Sequence, residues 1–191
     1  MEKQVMEILE ETGALLKGHF TLSSGLHSEF YVQCAKIFEY PKYGEVIGRM
    51  IAEKIIQSGL KPDVVIGPAL GGIIVAYEVG KYTGARAMFT EREDSQMKLR
   101  RGFELDRGDK VIIVEDVVTT GKSTLEVEEV VKSFGSEIIG YASIINRSGK
   151  ETLFEKPYSY LLKLDFPTFT PDNCPLCQAG IPAIKPGSRK K

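Results

Sequence analysis

Apolar residues recur along this chain with two periods. Over residues 2–12, Val5, Ile8 and Leu9 fall at helical spacing and Gly13 follows, which predicts a first helix closed by a glycine cap. From Lys42 to Ser58, Val46, Ile47, Met50, Ile51 and Ile55 line one helical face ahead of Gly59, predicting a second. Asp63-Val-Val-Ile-Gly67 is a short apolar run bounded by Pro62 and Pro68 and reads as a buried strand. There follow a helix from Gly72 to Tyr82, a short strand from Arg86 to Phe89 and a β-branched strand from Lys110 to Val114. A helix with Val127, Val130, Val131 and Phe134 on one stripe ends at Gly135, and a strand runs from Ile138 to Ile145.

Strands alternating with helices at this spacing predict an α/β fold: a doubly wound, mostly parallel sheet covered on both faces. Ligands of such sheets bind beyond the carboxyl ends of the strands. The segments to search are therefore those just after residues 67, 89, 114 and 145.

Composition narrows the function classes. A chain of 191 residues, 42% hydrophobic and 27% charged, can bury one substantial core. With 25 Lys+Arg against 26 Asp+Glu, nothing calls for nucleic acid or an anionic membrane as partner, so any anion site must be local. The first 16 residues mix Glu and Lys with apolar side chains, unlike a signal peptide or anchor. No apolar run approaches the roughly 20 residues that span a bilayer, and a cytoplasmic location is expected. The last 27 residues hold five of the nine prolines and read as an extended arm with a basic tip at Ser188-Arg-Lys-Lys191. The three cysteines, Cys34, Cys174 and Cys177, are an odd number and argue against a disulfide framework. Cys174-Pro-Leu-Cys177 supplies two of the four ligands zinc takes, while His19 and His27 lie about 150 residues away in sequence. The pair reads as a structural turn bearing two thiols.

The most informative stretch is VIIVEDVVTTGKST, residues 111–124. A four-residue apolar run leads to the adjacent acids Glu115 and Asp116, then to the small hydroxylated turn Thr119-Thr120-Gly121, and a helix starts near Lys122. A helix start offers unpaired N–H groups and positive dipole, and glycine admits close backbone approach, so the turn suits a phosphate. Thr119, Thr120, Ser123 and Thr124 add hydroxyl donors. Two carboxylates beside a phosphate cradle must face neutral hydroxyls or a metal, and a phosphorylated sugar meets both demands. A nucleoside triphosphate loop is excluded because G-x-x-x-x-G-K-[ST] needs glycine where this chain has Asp116.

Residues 111–124 resemble the motif with which type I phosphoribosyltransferases bind 5-phosphoribosyl 1-pyrophosphate (PRPP). Leu15–Tyr31, Gly67-Pro-Ala-Leu-Gly-Gly72 and Ile144-Ile-Asn-Arg-Ser-Gly149 are similar to segments of the orotate-using branch of that family, and the Cys-Pro-Leu-Cys arm to a short-loop bacterial subgroup of it. The resemblance implies one phosphoribosyltransferase domain over 1–191, with an N-terminal hood (about 1–40), a core (41–165) and a Pro-rich C-terminal arm (166–191). It implies that Glu115 and Asp116 hold the ribose hydroxyls as the catalytic pair, that Thr119, Thr120, Gly121, Lys122 and Ser123 wrap the 5-phosphate, and that Val117 and Val118 belong to the same PRPP-binding run. The turn Pro68–Gly72 would meet the pyrophosphate. Arg147, with Thr119, would bind orotate, a guanidinium being suited to clasp its carboxylate in bidentate fashion. Phe30 or Tyr31 could stack on the pyrimidine or serve the core. Mg²⁺ would arrive on PRPP with no direct protein ligand, and the protein would be a homodimer.

The chain also departs from the family pattern. Thr90–Gly102, the stretch corresponding to a mobile lid, lacks the histidine of many relatives, and its cations are Arg92, Lys98, Arg100 and Arg101. Arg92 and Lys98 are the candidates for covering PRPP. Ser23 and Gly71 stand where many family members have lysine. A purine-base phosphoribosyltransferase and a non-catalytic PRPP-binding regulator are the alternatives.

Overall fold

The computed structural model describes residues 1–22, 24–150 and 153–186. Ser23 and the basic tip Ser188–Lys191 lie outside them. The predicted helices form as α1 (Glu2–Glu11), α2 (Pro41–Gln57), α3 (Gly71–Thr83) and α4 (Lys122–Ser133). Pro41 opens α2 at a position where no N–H is needed. A short helix, α5 (Pro175–Gln178), lies in the arm.

The strands are β1 (Leu15–Thr21), β2 (His27–Val32), β3 (Val64–Pro68), β4 (Arg86–Glu93), β5 (Gln96–Leu99), β6 (Lys110–Val118), β7 (Glu137–Asn146), β8 (Tyr158–Lys163) and β9 (Thr168–Phe169). Six of them make the main sheet in the order β5-β4-β3-β6-β7-β8. It is parallel except for the β4–β5 hairpin at one edge. Because the chain steps from β3 to one side and from β6 to the other, the sheet reverses direction between these two strands. A doubly wound sheet opens its ligand crevice at this point.

Alternation along the central strands divides the core. Val65, Ile112 and Val114 face α2 and α3, whereas Val64, Ile66, Val111 and Ile113 face Val127 and Val131 of α4. All seven of these strand residues are 0% exposed, which is why β3 and β6 read as unbroken apolar runs.

Three features go beyond the sequence expectation. Residues Leu15–Val32 form an antiparallel hairpin, β1–β2, extended by β9, so the hood is a small sheet of its own. Residues Thr90–Gly102, read as a lid loop, include a β-hairpin whose central residues Asp94 (φ 51°) and Ser95 (φ 67°) are both left-handed. That backbone matches the strand twist as in type I′ hairpins. The arm folds back: Ile184 pairs with Phe20, donating its N–H to the His19 carbonyl and accepting one from Thr21.

Candidate active site

The crevice at the switch point is built from the ends of β3, β6 and β7. β6 continues to Val118, and the chain turns through Thr119-Thr120 into Gly121, whose φ of 74° is left-handed. A side chain there is barred twice over, since its Cβ would also meet Leu153 at 2.9 Å and Phe154 at 3.2 Å. The first helical bond of α4 runs from the Leu125 N–H to the Gly121 carbonyl, so the N–H groups of Ser123 and Thr124 precede the hydrogen-bonded ladder. The Lys122 N–H meets Thr120 Oγ1 at 3.3 Å. A cleft lined by Glu115 and Val117–Thr124 lies over this helix start, which is an anion site in kind. The structure thus gathers Glu115, Asp116, Val117, Val118, Thr119, Thr120, Gly121, Lys122 and Ser123 into one place.

Glu115 is buried and Asp116 half-buried. Burial, reinforced by the neighbouring Asp116 charge, pushes the Glu115 carboxyl up to about 9. Burial raises Asp116 as well, against the hydrogen bond that its Oδ1 accepts from the Val117 N–H at 2.8 Å. Two carboxyls this close titrate as a unit, and near neutrality the pair keeps a proton on Glu115. Cys34 is buried near them, its thiol raised by burial and by both acids.

Arg147 follows β7, its N–H donating to the Val118 carbonyl at 2.8 Å, so it stands beside the end of β6. Burial lowers its pKa, opposed by Tyr31, and the Tyr31 phenol is raised by burial and by Asp116. Tyr31 therefore lies within electrostatic reach of both Asp116 and Arg147. Among the described residues Arg147 has no ion pair; its guanidinium lies 5.6 Å from the Phe166 ring centroid. Phe30 stacks on that same ring at 4.8 Å, so Phe30 packs hood against arm and Tyr31 is left to face the crevice.

The lid cations are placed differently. None of them lines the cleft. Arg92 pairs with Glu126 of α4 and donates to the Ser95 carbonyl. Lys98 pairs with Glu93 at 2.8 Å, Arg100 with Glu91 and Glu93 at 2.9 Å each, and Arg101 with Glu91 at 3.0 Å. Arg92 is in register with Met97, and Glu91 with Lys98. Alternation therefore puts Arg92 on the face toward α4 and Lys98 on the opposite face.

One site feature had no signal in the sequence: the turn after β3 abuts Asp116. A Cβ built on Gly71 would lie 2.6 Å from the Asp116 carboxyl carbon and from both its oxygens. Only the pairing of β3 with β6 brings these residues together.

A parallel sheet with a phosphate-type cradle and paired acids at its switch point defines a class. The phosphoribosyl transferase domain family matches residues 35–172, and this chain belongs to that family. Its relatives there are the orotate phosphoribosyltransferases. It is 55% identical over 191 residues to the orotate phosphoribosyltransferase of Caldanaerobacter subterraneus subsp. tengcongensis, covering 100% of both chains. Against that of Thermotoga maritima it is 53% identical over 185 residues, 97% of this chain and 98% of the relative. Among solved structures, the orotate phosphoribosyltransferase of Aeropyrum pernix superposes with a TM-score of 0.68 at 24% identity, over 83% of this chain and 93% of that one. The Mycobacterium tuberculosis enzyme in complex with PRPP gives 0.65 at 25% identity, over 85% and 96%. An adenine phosphoribosyltransferase also gives 0.65, at 16% identity over 81% and 99%, so the fold alone does not choose the base.

Proposed function

We propose that this protein transfers the phosphoribosyl group of PRPP to orotate, giving orotidine 5′-phosphate and pyrophosphate, and that the crevice between β3 and β6 is where it does so. The observation that carries the assignment is Arg147. It is a half-buried guanidinium with no carboxylate partner among the described residues, near Tyr31 and with its backbone bonded to the end of β6. A half-buried cation without a counter-charge is partly desolvated and uncompensated, and the carboxylate of orotate supplies a partner. A neutral purine would leave Arg147 unpaired.

In this reading the N–H groups at the start of α4 and the hydroxyls of Thr119, Thr120 and Ser123 hold the 5-phosphate. Asp116 and Glu115 accept from the ribose hydroxyls, the turn Pro68–Gly72 meets the pyrophosphate, and Thr119 borders the base beside Arg147. The bond from C1 of the ribose to the pyrophosphate oxygen breaks as the sugar gains oxocarbenium character, and N1 of orotate, losing its proton to solvent, forms the new bond from the opposite face. The negative charge on Asp116 favours that developing cation, and positioning supplies the rest. Mg²⁺ belongs to the PRPP complex in this reading. Among the described residues the acids at this crevice are Glu115 and Asp116; with both directed to the ribose, the ion would be held mainly by PRPP oxygens and water and would supply charge neutralisation to the leaving group.

We further propose one domain over residues 1–191 and a homodimer, in which the Lys98 face of the hairpin, turned away from its own α4, serves the neighbouring subunit. No helix among the described residues is long and apolar enough to cross a membrane, in keeping with a proposed cytoplasmic role. The test is loss of orotate absorbance in the presence of PRPP and Mg²⁺. Consumption that needs both and disappears in Asp116→Asn supports the reading. PRPP binding with no base consumed would turn it toward a regulator.

A further inference from the structure

The strongest unassigned feature lies away from the crevice, where the hood meets the arm. Four side chains from opposite ends of the chain converge there: His19 on β1, His27 on β2, and Cys174 and Cys177 around α5. One ligand-type atom from each lies within 4.8 Å of all the others. His19 Nε2 is 2.8 Å from His27 Nδ1, Cys174 Sγ is 3.4 Å and Cys177 Sγ 3.8 Å from His19 Nε2, and Cys177 Sγ is 3.3 Å from His27 Nδ1. We propose that these four side chains form a structural zinc site that fastens the C-terminal arm to the N-terminal hood.

Three observations carry the assignment beyond proximity. The first is size. Zinc bonds of about 2.0–2.1 Å to nitrogen and 2.3 Å to sulfur place tetrahedral ligand atoms about 3.3–3.8 Å apart. The separations between each sulfur and the nitrogens nearest it match that range, and the nitrogen pair at 2.8 Å needs to open by about half an ångström.

The second is orientation. His19 Nδ1 lies 2.7 Å from the Ile181 carbonyl, an acceptor only, so Nδ1 carries the proton and Nε2 presents its lone pair to the cluster. A carbonyl on the far nitrogen is how zinc-binding imidazoles are held. The Ile184 N–H bonds to the His19 carbonyl at 2.8 Å, fixing the same residue's backbone.

The third is the environment. His19 is 2% exposed, His27 8% and Cys174 0%, while Cys177 closes the cluster from the exposed side, and among the described residues no carboxylate joins the cluster. Two imidazoles and two thiols, nitrogen and sulfur donors, select zinc over magnesium or calcium. With four protein ligands there is no open position for substrate, so the role is structural. On binding, the two thiols and any proton on His27 Nδ1 are released to solvent, and two thiolates balance the dication.

The site would also bear on the crevice. β2 carries His27 at one end and Phe30 and Tyr31 further along, and Phe30 stacks on Phe166 beneath Arg147. This consequence, unlike the site itself, rests on the proposed orotate reading.

The experiment is metal analysis of the full-length protein, prepared under reducing conditions without chelator, together with cobalt substitution. The expected result is one zinc ion per chain, and on exchange with Co²⁺ the visible ligand-field bands and sulfur-to-cobalt charge transfer of a tetrahedral site. Cys177→Ser and His27→Gln should each lower zinc retention at least tenfold, and chelation should lower the melting temperature of the wild type. Wild-type protein that contains no zinc and takes up neither Zn²⁺ nor Co²⁺ would overturn the proposal. So would a Cys174–Cys177 disulfide that persists under reducing conditions. Neither outcome depends on whether orotate is the substrate.

Discussion

The α-carbon of Gly71 rests against the carboxyl group of Asp116: a Cβ at position 71 would sit 2.6 Å from the carboxyl carbon. The turn after β3 and the acid on β6 thus form one wall of the crevice, and the first residue of α3 has no room for a side chain unless Asp116 moves. Gly71→Ala should lower kcat/KM for PRPP about tenfold, or about 1.4 kcal/mol of transition-state stabilisation, with only a small change in melting temperature. Gly71→Lys, which restores the residue many family members carry, should not raise activity. Steady-state kinetics with PRPP as the varied substrate checks both.

Glu115 ties pH to stability with a definite sign. Its folded pKa is raised to about 9 from an unfolded value of about 4.3. Across that interval the native state keeps a proton the unfolded chain has lost, so stability falls as pH rises and levels off above about 9. The slope approaches about 1.4 kcal/mol per pH unit. Glu115→Gln should remove most of that slope between pH 6 and 8 while greatly reducing turnover. Urea denaturation of both proteins across this range is the check, and equal slopes would count against a buried, protonated Glu115.

Arg147 should matter by geometry as well as charge. Lysine keeps the charge but cannot grip a carboxylate with two parallel N–H groups. Arg147→Lys should therefore raise the KM for orotate about tenfold or more, a loss of about 1.5–3 kcal/mol for a charged hydrogen bond, while the KM for PRPP stays within about twofold. Initial rates with each substrate varied in turn separate the two effects.

The hairpin's two faces make a prediction about subunits. Arg92 faces α4 through Glu126, and Lys98 faces the other way. If Lys98 serves the neighbouring site, mixing inactive Lys98→Ala and Asp116→Asn proteins should restore activity, because one site of each mixed dimer has both an intact lid and an intact acid. Arg92→Ala mixed with Asp116→Asn should restore none, since Arg92 would act on its own subunit. Refolding the variants together and assaying turnover distinguishes these outcomes.

What the sequence revealed followed the strength of its local signals. α2, α3 and α4 have apolar stripes, and β3 and β6 are buried on both faces, so each was legible, as was the run from Glu115 to Ser123 that sits within one strand-turn-helix. β1 and β2 were not. Leu15–Thr21 includes Gly18 and has no alternating pattern of burial, because its partners are the arm and β2 rather than a continuous core. The β4–β5 hairpin was hidden because its turn uses Asp94 and Ser95 where glycine or asparagine would have announced it. Gly71 beside Asp116, and His19 beside Cys174, are products of topology. Contacts between segments 45 and 155 residues apart, by the numbering, leave no mark in any local window.

The central claim is that Arg147 reads a carboxylate on the base at this crevice, and the most direct measurement compares kcat/KM for orotate with that for uracil, which is the same ring without the carboxylate, at saturating PRPP and Mg²⁺. Arg147 is half-buried and a hydrogen bond to a charged group contributes about 1.5–3 kcal/mol, so the account predicts a preference for orotate of at least about tenfold in the wild type that collapses in Arg147→Ala. Comparable rates with the two bases, or a preference that survives removal of Arg147, would contradict it.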